Sequence, residues 1–267
     1  FLFALIQGFT EFLPVSSQGL LILFNQFYDI SYLSSLTILE ANIIAHSGSL
    51  LAILIYYYQI IKNLLLSVKN ILRPDIERHA SLLIFLFVSS IPVIIVGYFF
   101  GKYFDYDNER ILLIIGVTSV VFGFILLILD KYCLLVKSFD AMNIKSSLFI
   151  GSIQCLALIP GVSRSGSVLT AMRLNGYNRD FCILYSNLLS IPVLIGAITF
   201  LLLGDATPFY IDNLLNFGAI MIFLLSFIFS IIFIHFLVYW VRKSSLFIFM
   251  LYRLIFGTSL IIMFYLG

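Results

Sequence analysis

Gln7-Gly8-Phe9-Thr10-Glu11-Phe12-Leu13-Pro14-Val15-Ser16-Ser17-Gln18-Gly19 and Pro160-Gly161-Val162-Ser163-Arg164-Ser165-Gly166-Ser167 decide the fold of this chain. Each is a short polar island in lipid-like sequence, combining Pro, Gly and hydroxyls with one ionisable residue, Glu11 in the first and Arg164 in the second. A charge at the bilayer centre costs about 2.5–3.5 kcal/mol on insertion scales, so an ionisable residue at that depth reads as functional. Broken backbone at membrane depth is tolerated only where protein or a water-filled cavity satisfies its polar groups. Two such places with opposite charges predict one polar site built from two halves.

The sequence around the islands excludes a soluble domain. Of 267 residues, 62% are hydrophobic and 10% charged, whereas ordinary soluble domains carry about 25% charged residues. Charge-free stretches at Ala41–Ile61, Ala80–Gly101, Ile111–Leu129, Phe181–Gly204 and Asn213–Val241 are each long enough to cross a bilayer, and Leu246–Leu266 crosses with Arg253 inside it, since a helical span takes about 20 residues. The net charge of +2 decides nothing, because distribution matters more than sum. Cys133, Cys155 and Cys182 are scattered singles without metal or redox spacing and read as packing residues. The chain opens on Phe1 rather than Met, which predicts that a few residues precede it. Phe1–Leu13 lacks the basic flank and small-residue cleavage site of a signal peptide.

Charge placement predicts the topology. Lys and Arg gather in Lys62–Arg78, Lys131–Lys145 and Arg242-Lys243, and Arg173 and Arg179 follow the second island; by the positive-inside rule these face the cytoplasm. Asp29–Glu40 and Asp205–Asp212 carry no Lys or Arg, and Lys102–Arg110 has two basic against three acidic residues, which places them outside. Six spans then alternate without contradiction, and each island must return to the side it entered from. The expectation is an all-α integral membrane protein with about six transmembrane helices plus two re-entrant helical hairpins arranged as an inverted-topology repeat. It is one polytopic domain with halves at about 1–129 and 130–267, an arrangement typical of transporters with a midplane site. Ser90-Ile91-Pro92-Val93 recurs as Ser190-Ile191-Pro192-Val193, and Ile6-Gln7 as Ile153-Gln154, which suggests duplication.

Ser residues at the start of each half-helix predict N-caps, and a half-helix presents its positive dipole end and free N–H groups to an anion. Val15–Gly19 and Val162–Gly166 therefore predict two converging ends, with Ser16, Gln18, Gly161, Ser163, Ser165 and Gly166 lining the cradle. Arg164 adds a planar fork suited to phosphate oxygens. Glu11 beside a phosphate is repulsive unless a divalent cation bridges them or the carboxyl acts as a base, and Mg²⁺ binds through one or two carboxylates plus phosphates. Gln7, four residues before Glu11, shares its helical face and can offer a neutral oxygen.

Plainer readings stand beside these. Glu11 and Arg164 can form a structural ion pair, and at least two of Ser16, Ser17, Ser163 and Ser165 can be caps alone. Gln154 is expected to hydrogen-bond across helices. His46 either packs or lines the site, while His79 and His235 read as structural. Arg253 is expected to snorkel or to pair with an acid, in a support role.

With these residues in view, the chain resembles the undecaprenyl-pyrophosphate phosphatase family of bacterial inner membranes, the bacitracin-resistance type. The family's Glu/Gln-xxx-Glu followed by Phe-Leu-Pro-Val-Ser-Ser stands as Gln7-xxx-Glu11-Phe12-Leu13-Pro14-Val15-Ser16-Ser17, and its Pro-Gly-x-Ser-Arg-Ser as Pro160–Ser165. His46-Ser47-Gly48-Ser49-Leu50-Leu51-Ala52, Leu188-Leu189-Ser190-Ile191-Pro192 and Tyr252-Arg253 fit as well. The resemblance implies removal of the terminal phosphate from a polyprenyl diphosphate, with Mg²⁺ or Ca²⁺, at a periplasm-facing site in a multi-pass inner-membrane protein that recycles the carrier lipid for cell-wall glycans. It implies Glu11 as essential acid and metal ligand with Gln7, Ser17 as nucleophile and Arg164 as phosphate binder, with Gln7, Ser16, Gln18, Gly161, Ser163, Ser165, Gly166 and His46 around the substrate. No nucleic acid is expected as a partner, and oligomeric state stays open between monomer and homodimer. Three positions depart from the pattern: Gln7 is the permitted variant of the first Glu, Leu20 stands where many members carry His, and Val168 stands where Thr is usual. Either His46 or Glu11 then covers the proton role, or the chain is a low-activity paralogue. A carrier of polyprenyl phosphate on the same scaffold is the rival reading, and a purely structural subunit the remote one.

Overall fold

Apolar stretches close into helices in a bilayer because every backbone polar group must be satisfied within the segment. The computed structural model describes residues 1–27, 36–71, 77–103, 110–133, 136–203 and 216–266. Among them are eleven α-helices: α1 (Leu2–Thr10), α2 (Ser17–Phe27), α3 (Ile38–Tyr56), α4 (Tyr58–Leu66), α5 (Arg78–Tyr103), α6 (Ile111–Tyr132), α7 (Ile144–Gln154), α8 (Arg164–Leu174), α9 (Arg179–Leu203), α10 (Phe217–Lys243) and α11 (Phe247–Leu266). Six of them, α3, α5, α6, α9, α10 and α11, are long and apolar enough to cross a membrane. Every expected span is present, with shifted ends. The expected starts at Asn213 and end at Gly204 fall outside the described residues.

Two shifts have clear physical causes. The first span begins at Ile38 rather than Ala41 because Thr37 and Glu40 form a capping box: the Thr37 side chain accepts from Glu40 N, and Glu40 Oε2 accepts from Thr37 N at 2.8 Å. A search for charge-free sequence stops at Glu40, yet the carboxylate belongs to the helix as its cap. That span also ends early, because the chain breaks at Tyr57 and resumes as α4. His79 lies in the first turn of α5.

The two islands interrupt paired short helices, α1 with α2 and α7 with α8. At nine and eleven residues in the first pair, and eleven each in the second, these helices reach only about 14–17 Å at 1.5 Å per residue. None can cross a hydrocarbon core of about 30 Å; they form hairpins. The α1 hairpin arm packs on α10 and the α7 arm on α5, while α3 meets α9 and α6 meets α11. The main core gathers around α8 and α9, with Leu169, Met172, Tyr185, Leu188 and Leu189 against Leu126 of α6 and Ile150 of α7. Outward faces are apolar: Ile220, Leu224, Ile228, Ile232 and Phe236 expose a stripe down α10, stable against acyl chains and not against water. Polar ties cross the bundle, including Ser230 Oγ to Ser49 Oγ at 2.9 Å and Ser89 Oγ to Tyr185 Oη and Ser147 O, both at 2.7 Å. Where basic residues gather at the bundle end, Asp130 of α6 accepts a two-pronged bond from Arg179 (2.8 and 2.9 Å), lies 3.3 Å from Arg173 Nε, and accepts from Leu246 N at 3.1 Å.

Candidate active site

Each hairpin places its polar island at the tip, where one helix ends and the next begins. Ser16 caps α2 by accepting from Gly19 N at 3.1 Å, and Ser163 caps α8 by accepting from Gly166 N at 3.3 Å. Adding 147 to Ile6, Gln7, Val15, Ser16 and Gly19 gives Ile153, Gln154, Val162, Ser163 and Gly166, so the two caps are built from the same residues at the same places. The second tip turns through positive φ at Gly161 (93°) and Ser163 (72°). Positive φ at a non-glycine costs about 1–3 kcal/mol and persists only where the surroundings fix it.

The tips meet. Arg164, first residue of α8, donates through Nη2 to Glu11 O at 2.9 Å and to Glu11 Oε1 at 3.2 Å, and through Nη1 to Ser186 O of α9 at 3.2 Å. Ser165 Oγ donates to Leu13 O at 2.5 Å. Glu11 directly follows α1, and Gln7 one turn earlier donates through Nε2 to Glu11 Oε2 at 2.9 Å. The same nitrogen lies 2.8 Å from His46 Nδ1 of α3. An amide nitrogen only donates, so in this contact His46 Nδ1 is the acceptor. His46 Nδ1 is 3.6 Å from Glu11 Oε2. The side chains of Glu11 and Arg164 are 6% and 13% exposed, so the pair is sheltered without being sealed.

Glu11, Arg164, Gln7 and His46 come together at one point, with Ser165 one residue along. Ser16 and Ser163 are caps. Ser17, half-buried as the first residue of α2, makes no side-chain hydrogen bond among the described residues, and none joins it to Glu11 or Arg164. Gly161 packs against α6, and Gly166 donates its N–H to the Ser163 cap. The side chain of Gln18 lies outside the described residues.

Two expectations are corrected. Gln154 makes no bond across helices: it is fully buried and both amide atoms lack a partner among the described residues. Arg253 does not snorkel and pairs with no acid among the described residues; it is 1% exposed and donates to backbone carbonyls. Ser186 was not singled out by the sequence. Its carbonyl holds Arg164, and its buried hydroxyl has no partner among the described residues.

An all-α integral membrane protein with two capped hairpins joined tip to tip by a carboxylate and a guanidinium is the class that fold and site define. A family model described as "Bacitracin resistance protein BacA" matches residues 1–259, and the chain belongs to that family. A protein of Alteromonas mediterranea named undecaprenyl-diphosphatase is 33% identical over 264 residues, 97% of this chain and 95% of the relative. Those of Aliivibrio salmonicida and Pelagibacter ubique with the same name are 34% and 35% identical over 263 residues, 98% of this chain and 96% and 95% of theirs.

Proposed function

We propose that this protein hydrolyses a polyprenyl diphosphate to the monophosphate, as the name of its relatives describes, in the bacterial inner membrane. The observation that carries the reading is the contact of Glu11 with Arg164 across two capped hairpin tips. A cation, a carboxylate and two helix N-termini in one sheltered place are what phosphoryl transfer asks of a protein: positioning and charge stabilisation.

In this reading the substrate's terminal phosphate takes the Glu11 carboxylate's place on Arg164. The free N–H groups at the starts of α2 and α8 hold the remaining oxygens. The released carboxylate, next to Gln7 and His46, takes the proton of the nucleophile, water or the Ser17 hydroxyl. A new O–P bond forms at the terminal phosphorus, the anhydride P–O bond breaks, and its electron pair leaves with the polyprenyl monophosphate; if Ser17 attacks, water then cleaves the phosphoserine. Glu11 is the base, since Leu20 leaves no imidazole beside Ser17.

The donor set also fits a divalent cation. Gln7 Oε1 is buried without a partner among the described residues, on the same amide that touches Glu11. A carboxylate and a neutral oxygen are hard donors of the kind Mg²⁺ and Ca²⁺ accept. Glu11 and Gln7 would hold such an ion, which would supply charge neutralisation for the phosphate.

Halves at about 1–129 and 130–267 related by inversion account for the packing of α1 on α10 and of α7 on α5, with the first hairpin entering from the periplasm and the second from the cytoplasm. The same pairing favours a second reading, in which the scaffold moves polyprenyl phosphate across the membrane. The test is phosphate release from a polyprenyl diphosphate by purified protein, beside lipid translocation in liposomes. Release that vanishes in Glu11→Ala and Arg164→Ala at unchanged expression supports hydrolysis. Wild-type rates in both variants, or translocation without release, refute it.

A further inference from the structure

Arg253 stands in the second turn of α11, in a span otherwise free of charge, and is 1% exposed. No carboxylate among the described residues pairs with it. Its guanidinium instead donates to four carbonyls: Nη1 to Val162 O at 2.9 Å and Pro14 O at 3.3 Å, Nη2 to Gly161 O at 2.9 Å, and Nε to Ser119 O at 3.2 Å. Two of these acceptors, Pro14 O and Gly161 O, occupy matching places in the two islands, since 14 plus 147 is 161. One planar group thus spans the second tip, the first tip and α6.

The surroundings are shaped to hold it. α6 and α11 touch backbone to backbone, because a Cβ on Gly116 would lie 2.9 Å from Gly257 O. Gly123 of α6 leaves room for the stem, its added Cβ falling 3.2 Å from Arg253 Cβ, and Gly166 leaves room for the head, 3.1 Å from Nη1. The carbonyls at a broken helix have no intrahelical partner, and in a membrane each would be costly to leave bare. Arg253 satisfies those of both tips with one rigid fork, which couples their positions.

We propose that Arg253 is a positioning residue: by holding Pro14 O, Gly161 O and Val162 O together it fixes the spacing of the two tips, and so the register of Glu11 against Arg164. This rests on the phosphatase reading. Arg253 does not touch the substrate, so its loss lowers turnover far more than affinity. A lysine keeps the charge but presents a point, not a fork, and cannot reach all four carbonyls. A misplacement of 1 Å costs a reaction up to about 100-fold.

The experiment compares wild type, Arg253→Lys, Gly123→Ala and Glu11→Ala in lipid nanodiscs, recording kcat, KM and the thermal midpoint. Arg253→Lys is expected to stay folded with KM within about threefold and kcat down by about 10- to 100-fold. Gly123→Ala, which crowds the stem and so shifts the guanidinium without removing it, is expected to lie between it and wild type. A kcat within twofold of wild type in Arg253→Lys, whatever its melting point, or a change confined to KM, overturns the proposal. Should Arg253→Lys not fold, Gly123→Ala decides alone: folded with lowered kcat supports it, unchanged kcat overturns it. Absence of phosphate release by the wild type strikes the phosphatase reading, a separate outcome.

Discussion

Gly161→Ala is the sharpest probe of the second tip. Gly161 has φ of 93°, a conformation that costs a residue with a Cβ about 1–3 kcal/mol. The site has no space either. An added methyl would press on Thr118 Oγ1 and stand 2.7 Å from Ile115 O and 2.9 Å from Ile115 Cα. The threonine can rotate away, at the expense of its 2.7 Å bond to Pro160 O; the α6 backbone cannot. Ordinary contact begins at 3.4 Å, so the tip must retreat from α6 by about 0.7 Å. That retreat carries Val162, Ser163 and Arg164 with it, and displacement on this scale lowers turnover by about 10- to 100-fold. The assay is the initial rate of phosphate release at saturating polyprenyl diphosphate, normalised to folded protein by thermal unfolding in detergent. Gly196→Ala is the control, since its methyl would meet only Ile94 Cγ1 at 3.7 Å and is expected to change nothing. A Gly161→Ala enzyme with kcat within twofold of wild type would show that the tip geometry does not govern the chemistry.

Asp130→Ala strands Arg173, which is fully buried, together with Arg179; breaking a buried pair costs about 3–5 kcal/mol, to be read as a lowered unfolding midpoint with kcat per folded molecule unchanged. Gln7→Glu adds a second carboxylate beside Glu11 and is expected to move the divalent-cation titration of activity to lower concentration, while Gln7→Leu moves it higher; identical midpoints in both would remove Gln7 from the metal. His46→Gln keeps a polar partner for Gln7 and is expected to retain activity within about tenfold, the lower end of what general-base loss costs being about 100-fold. Complete loss in that variant would move the base role from Glu11 to His46.

Much of this architecture is legible in the residues because membrane burial is unforgiving. Six spans follow from apolar length, and both tips from Pro, Gly, Ser and one charge where lipid allows none. What is not legible is who partners whom. Arg253 finds backbone carbonyls, and a carbonyl leaves no mark in sequence, so a search for side-chain partners looks for an acid and finds none. Arg173 and Arg179 mark a membrane side by composition, yet both turn inward to Asp130, which sits 43 and 49 residues before them in the chain. Gln154 carries the amide expected of a cross-helix donor but meets none among the described residues. The Ser-Ile-Pro-Val recurrence also misleads: it falls in α5 and α9, which pack against each other, whereas the spacing of 147 that relates the two caps does not relate these segments.

The matching of the tips makes their differences chemical. The spacing that equates Ser16 with Ser163 also sets Ser17 opposite Arg164, each the first residue of its half-helix, and Glu11 opposite Leu158. One tip therefore supplies the acid and a hydroxyl, the other the guanidinium. A glutamate in place of Leu158 as well would set two carboxylates against an incoming phosphate with only one guanidinium, Arg164, to offset them, and the cost of bringing like charges together at low dielectric would fall on binding. An arginine in place of Ser17 as well would add a second cation and remove the hydroxyl from the first tip. Unequal tips on equal caps give the pair a carboxylate and a guanidinium at one place. They also leave Arg253, which treats the two backbones alike, as the group that holds the unequal halves in register.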